Sequence, residues 1–306
     1  MSLRSTIDPK HEGSEEHPVI ELRLESKPRD LGGFSVRRVL PSEKRRALGP
    51  FVFFDHMGPA EFGPGSGINV RPHPHIHLAT ITYLFEGEIV HRDSLGSHQT
   101  IQAGAVNLMV AGKGIVHSER TSPELWKSTY RLHGLQLWIA LPQASEDTEP
   151  DFHHHPASEL PEINTEAARM KVIMGRAFGK TSPVKTFSPT FYVDLSLKAG
   201  ARMQLPNEYE ERGLYLISGS VRIGQEELRE PQMLLLKPDA EVFVEALEDA
   251  RLVALGGDPL GGPRHIFWNF VSSSPERIKK ASEDWKASRF PEVPGDNEEF
   301  IPLPEA

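Results

Sequence analysis

The chain has 306 residues, a net charge of −9 and no cysteine, which rules out disulfides, thiolate metal sites and cysteine nucleophiles and leaves nitrogen and oxygen as donors for any bound ion. Its length suits about two domains of ~150 residues, and its acidic balance opposes direct nucleic-acid binding, which needs a clustered basic surface. No apolar run is long enough to span a membrane, and residues 1–17 are polar, without the apolar stretch of a signal peptide, so a frayed tail on a cytoplasmic protein with no membrane partner is expected.

Short apolar runs separated by Gly, Pro, Asn and Asp follow at residues 19–24, 34–40, 51–55, 78–85, 88–93, 105–110 and 132–141. They predict strands at the spacing of a barrel or sandwich. The one basic cluster, Arg37-Arg38 with Lys44-Arg45-Arg46, reads as a solvated strand end and loop. A polar stretch over 142–164, with Glu146, Asp147, Glu149, Asp151 and then His153-His154-His155, reads as a solvated interdomain linker. Strands resume at 172–174, 191–197, 214–217, 221–223, 233–236, 241–246 and 251–256. Ser274-Pro275-Glu276 supplies a capping serine, a first-turn proline and an early acid for one helix running to about Arg289. The proline- and acid-rich residues 290–306 are expected along the surface.

The two halves echo each other. Thr82-Tyr83-Leu84-Phe85-Glu86-Gly87 is similar to Leu214-Tyr215-Leu216-Ile217-Ser218-Gly219, and residues 105–110 to residues 232–237, which fits two copies of one barrel.

In Arg71-Pro72-His73-Pro74-His75-Ile76-His77-Leu78, residues two apart on a strand share a face. His73, His75 and His77 are therefore expected to point the same way, with two of the imidazoles on one ion and His77 behind them. His117-Ser118-Glu119 repeats the spacing with an imidazole and a carboxylate, after the turn glycines Gly112 and Gly114. If the two segments are neighbours, His73, His75, His117 and Glu119 converge as metal ligands. Three imidazoles and a carboxylate suit Fe(II), Mn, Ni, Co, Cu or Zn and leave two octahedral positions for water, dioxygen or a chelating substrate.

Together with Thr82–Gly87, His91-Arg92-Asp93-Ser94-Leu95-Gly96 and the run from Ala111 to Glu119, this segment resembles the pirin family. The tail Gly261-Gly262-Pro263-Arg264-His265-Ile266-Phe267-Trp268-Asn269-Phe270-Val271 is similar to that of bacterial pirins. The resemblance implies a mainly β bicupin, two cupin-type β-barrels (jelly rolls) in tandem with a C-terminal helix. The metal-binding barrel would take residues 18–141, the linker 142–164 and a metal-free barrel 165–290. It also implies one mononuclear ion, Fe(II), on His73, His75, His117 and Glu119. Some pirins act as quercetin 2,3-dioxygenases. The expected activity is ring-opening of a flavonol or other enolic aromatic by O2, with Glu119 as the catalytic base. The alternative is a non-enzymatic, iron- and redox-responsive binding protein or transcriptional co-regulator with a protein partner.

One departure bears on that activity. Cupins usually carry an acid four residues after the second histidine, and this chain has Ala79 there. The second half serves as a control. Setting Gly219 on Gly87 and Lys237 on Val110 places Leu205, Asn207, Val244 and Ala246 at the four ligand positions, so no ion is expected there. Of the remaining histidines, His91 and His98 are expected at the surface, His133 and His265 as structural residues, and His56 equally in a pocket or in a structural role. Trp126, Trp138, Trp268 and Trp285 are expected in the core. No serine-hydrolase elbow or phosphate-binding loop is present.

Overall fold

The strands of both halves carry apolar side chains on both faces, and the architecture follows from where each face is buried. The computed structural model describes residues 4–5, 18–30 and 33–305. In each half a large antiparallel sheet faces a four-stranded one. The first large sheet runs, edge to edge, Asp151–His155, Val106–Val110, Leu78–Glu86, Tyr130–Ala140, Phe51–Phe62, Ser35–Leu40 and Lys27–Asp30. Its smaller partner runs Asn69–His75, Ile115–Arg120, Glu88–Asp93 and His98–Gln102. The second half repeats the plan. Gln232–Leu236, Glu211–Ser218, Ala250–Gly257 and Thr190–Leu197 follow one another as Val106–Val110, Leu78–Glu86, Tyr130–Ala140 and Phe51–Phe62 do in the first. The expected tandem of β-barrels is present.

Period-two alternation divides the buried residues. Along Leu78–Glu86, Ala79, Ile81 and Tyr83 join a core shared with Ile173, Tyr192 and Leu255 of the second half. Leu78 and Leu84 point the other way, into their own barrel. The two large sheets thus pack face to face across one apolar seam, and each barrel keeps its own interior.

Several boundaries differ from the sequence reading. Ile20–Glu25, placed in the first barrel by the 18–141 boundary, hydrogen-bonds to Gln232–Leu236 of the second large sheet. Residues 142–164 do not form a free linker. Asp151–His155 extends the first large sheet along Val106–Val110, and Glu162–Asn164 pairs with Ala168–Ala177. The edge groups of Val106–Val110 need partners, and Phe152 supplies an apolar contact beside Met109 that the polar composition hides. Arg38 is only partly solvated, since it grips the buried Asp55 with bonds of 2.8 and 2.7 Å. Most of the expected N-terminal tail lies outside the described residues, but Arg4–Ser5 pairs with His265–Phe267.

The helix forms as expected over Pro275–Lys286, with Ser274 accepting from the Arg277 N–H. Its apolar face, Ile278 and Ala281, packs on Ile76 and Phe270, beside the first barrel rather than the second. Among the described residues no helix is long and apolar enough to cross a membrane.

A buried polar cluster crosses the seam. His56 Nδ1 lies 3.0 Å from the Tyr215 hydroxyl, and His56 Nε2 lies 2.7 Å from His133 Nε2. Burial, then the neighbouring Arg37 and His133, push the His56 pKa down to about 2. The unfolded chain takes up this proton near pH 6.5 and the folded chain does not, so the stability contribution is complete above pH 6.5 and declines as pH falls towards 2. By pH 5 the loss from this residue is on the order of 2 kcal/mol. Urea midpoints at pH 7.5 and 5 should show it, and His56→Gln should flatten the profile.

Candidate metal centre

The strand Asn69–His75 is an edge strand of the smaller sheet, where Pro72 and Pro74 cost no ladder hydrogen bond on the open side. Alternation puts His73 and His75 on its inner face, and antiparallel pairing sets His117 opposite His73. All three imidazoles are buried. Their ring centroids lie 4.4 to 5.0 Å apart, and one donor atom from each falls within 4.8 Å of the others.

Hydrogen bonds fix which nitrogens face inwards. His73 Nδ1 lies 2.8 Å from the Arg71 carbonyl and His75 Nδ1 lies 3.0 Å from the Asn269 carbonyl. A carbonyl only accepts, so both Nδ1 atoms carry the proton and both Nε2 atoms hold a bare lone pair. His75 Nε2 lies 3.1 Å from His117 Nε2. Where His117 carries its proton on Nδ1, which faces His91 Nδ1 at 3.4 Å, two lone pairs meet across the 3.1 Å between those Nε2 atoms and repel unless a cation lies between them. Protonation is disfavoured: burial, offset in part by the Arg71 carbonyl, holds His73 down to about 4. Burial and then neighbouring imidazoles hold His75 and His117 well below the usual value. A separation of 3.1 Å fits two nitrogens each about 2.1 Å from one ion. The donor set therefore suits a transition metal.

Glu119 does not join this grouping. A bulge between His117 and Glu119 sets Glu119 opposite Val70 and re-aims its side chain. It still lines the same cavity. Burial alone pushes its pKa up to about 7, and among the described residues its carboxylate makes no hydrogen bond or ion pair. The structure thus brings three of the four expected ligands together, with the fourth in the wall.

His77 departs from the expectation of a shared face. The strand ends at His75, and His77 takes a left-handed backbone (φ 59°). Its ring turns out of the barrel to Ser272 (2.9 Å) and Glu146 (3.3 Å). His91 is not at the surface but buried behind His117, with Nε2 3.1 Å from Asp93. The tract 153–155 is half-buried on an edge strand, where His154 bonds Asn107 at 2.7 Å. Of the tryptophans, Trp126 is 42% exposed, while Trp138 and Trp268 line the cavity.

Ala79 faces the interdomain seam, away from the centre. An acid there would lie in an apolar core, so the departure does not remove a carboxylate from this site. In the second barrel, Val244 pairs with Ile223 and Met203 as His117 pairs with Asp93 and His73. Met203, rather than Leu205, therefore holds the His73 position and Leu205 the His75 position, a shift of two that matching the turn glycines could not reveal. Met203, Leu205, Val244 and Ala246 all pack in the apolar interior of that barrel.

The cavity in front of the histidines has a volume of about 560 Å³, within the range of small-molecule sites. Phe53, Met57, Ile89, Trp138, Trp268 and Ile301 give it apolar walls, and Arg71, Gln136 and Glu119 polar points. Trp138 stacks on Phe53 at 4.0 Å and meets His75 edge-on at 5.1 Å. The Thr82 hydroxyl donates to Gln136 Oε1, and among the described residues the Gln136 NH2 has no acceptor. Sequence reasoning missed the contributions of Trp268, Asn269 and Ile301, which come from the far end of the chain. The tail from Gly261 to Val271 was the one signal pointing there.

Two stacked barrels with, among the described residues, an imidazole triad in the first alone define a bicupin with one candidate metal centre. The Pirin family profile matches residues 33–139 and that of the Pirin C-terminal cupin domain matches residues 192–291. A pirin-like protein of Caulobacter vibrioides is 48% identical over 94% of this chain and 100% of its own. A Pseudomonas aeruginosa protein provisionally named quercetin 2,3-dioxygenase is 36% identical over 92% of this chain and 89% of its own. A crystal structure of quercetin 2,3-dioxygenase from Acinetobacter baumannii superposes with a TM-score of 0.87 at 34% identity, covering 93% of this chain and 95% of that one. A nickel(II) complex of a bacterial pirin from Escherichia coli shares the fold, with a TM-score of 0.62 at 19% identity over 78% of this chain and 99% of that one. The chain belongs to the pirin family.

Proposed function

We propose that this pirin is a mononuclear metal-dependent dioxygenase of the quercetinase type, acting on a flavonol or similar enolic aromatic with O2. The observation that carries the reading is the convergence of one donor nitrogen from each of His73, His75 and His117 at the end of an aromatic-walled cavity. The names of the Pseudomonas and Acinetobacter relatives support the reaction class.

His73, His75 and His117 would hold the ion, with Glu119 completing the set or standing beside it. Fe(II) is the expected metal, and the same donors accept Mn, Ni, Co, Cu or Zn. Such an ion supplies Lewis acidity that lowers the pKa of a coordinated hydroxyl, and a centre at which O2 can react. The rest is the work of the chain. Two carboxylates line the cavity, and Asp55 is held in the fork of Arg38. Glu119 is therefore the base placed to take the substrate hydroxyl proton. Trp138 and Phe53 offer a flat face to the aromatic rings, Met57 and Ile89 exclude water, and the Gln136 amide donates to a substrate oxygen.

Protein loaded with Fe(II), and in parallel with Mn, Co, Ni or Cu, should bleach quercetin absorbance aerobically with release of carbon monoxide. Glu119→Gln should slow turnover by about 100-fold or more while metal stays bound. No quercetin loss above free-metal controls with any of these ions would reject the flavonol.

A further inference from the structure

We infer that His91 and Asp93 act as positioning residues in a carboxylate–imidazole–imidazole relay that fixes the tautomer and donor strength of His117. The inference rests on the metal-centre reading above and concerns residues behind the ligands.

The strand Glu88–Asp93 lies beside Ile115–Arg120, with Asp93 opposite His117 and His91 opposite Glu119. Asp93 is fully buried and His91 is 4% exposed. The direction of each hydrogen bond follows from the carboxylate end. Asp93 Oδ1 accepts from the backbone N–H groups of Leu95 (2.9 Å) and Ser97 (3.0 Å), and Oδ2 lies 3.1 Å from His91 Nε2. A carboxylate only accepts, so His91 Nε2 carries the proton and His91 Nδ1 is an acceptor. That Nδ1 lies 3.4 Å from His117 Nδ1. His117 therefore donates from Nδ1 and keeps the Nε2 lone pair, which faces His75. Phe152 lies flat on His91, with centroids 4.4 Å apart and planes 12° apart, and holds the ring in register.

The relay gives His117 what backbone carbonyls give the other two imidazoles, but with a full negative charge at its end. His73 and His75 donate to neutral carbonyls. His117 donates through His91 to a carboxylate, which makes its Nε2 the strongest donor of the three. An outer acceptor of this kind raises ligand basicity and favours the more highly charged state of a redox metal.

Asp93→Asn tests the relay with little change of shape. The asparagine keeps Oδ1 and its two backbone bonds but presents an NH2 to His91. That reverses the His91 tautomer and sets N–H against N–H between His91 and His117, the kind of tautomer error known from carboxylate-to-amide exchange in catalytic triads. The probe is Co(II) alone, bound in competition with a chromophoric chelator and followed by its d–d spectrum. The midpoint potential of iron-loaded protein is a second readout. The expected result for Asp93→Asn is a 10- to 100-fold loss of Co(II) affinity, an altered d–d spectrum and a more positive potential. The urea midpoint of the metal-free protein serves as the folding control.

His91→Gln, whose amide can donate to Asp93 and accept from His117, should bind near wild-type affinity, whereas His91→Leu should not. This pair carries the test if Asp93→Asn folds poorly. Unchanged affinity, spectrum and potential in Asp93→Asn, or equal binding by the Gln and Leu variants, overturns the relay. A wild-type protein that takes up no Co(II) overturns the metal-centre reading instead.

Discussion

His117→Ala is expected to lower bound metal from about one ion per chain to near zero. His117 stands at the middle of the centre, with its ring 4.4 Å from that of His73, 5.0 Å from that of His75 and 5.3 Å from that of His91. Alanine removes one of three convergent donors and leaves His75 Nε2 facing an empty space. Losing a direct ligand should cost more than the 10- to 100-fold typical of a supporting residue. His154→Ala is the matched control, since that ring bonds Asn107 on an edge strand outside the triad. Elemental analysis of both variants after identical purification decides the point. Metal retained at wild-type levels by His117→Ala would contradict the assignment.

Asp194→Ala should destabilise the chain by about 3 kcal/mol, the low end of the cost of breaking a buried ion pair, because the Arg251 side chain left behind is 24% exposed. Asp194 is 1% exposed on the second large sheet. It accepts from Arg251 at 2.9 and 2.5 Å, from the Tyr83 hydroxyl at 2.8 Å and from Arg169 at 3.3 Å. Tyr83 belongs to the first barrel, and the Arg251 guanidinium lies 4.1 Å over Phe85 of that barrel. One carboxylate therefore links the two halves, and its removal strands Arg251 against Phe85 with no counter-charge. Arg169→Ala, at a partly exposed side chain, should cost no more than about 1 kcal/mol. Urea unfolding of both variants measures the difference. Equal midpoints for the two would show that the seam does not depend on Asp194.

What could be read from the sequence was whatever depends on local spacing. His73 and His75 share a face because a strand has a period of two, and His117 follows a turn that glycine marks. The strands around them were visible for the same reason. What failed was set by non-local partners or by one-residue irregularities. A bulge moved Glu119 out of step with His117, and a left-handed residue ended the strand before His77. Nothing in either segment announces those breaks. His91 was misplaced because Phe152, which covers it, sits in a stretch whose polar composition resembles a linker. Ile20–Glu25 reads as a strand from its own residues, but its partner lies more than 200 residues away. Asn269, which fixes the His75 tautomer with a backbone carbonyl, carries no side-chain signal for that role.

The proposed chemistry requires one ion bound between His73, His75 and His117. Anomalous diffraction from crystals of protein purified without added metal, with data on both sides of each metal edge, tests it most directly. A single strong peak is expected within bonding distance of all three Nε2 atoms, with Glu119 at its side. Stoichiometric metal found elsewhere, such as along Asp151–His155, with no peak inside the triad, would contradict it.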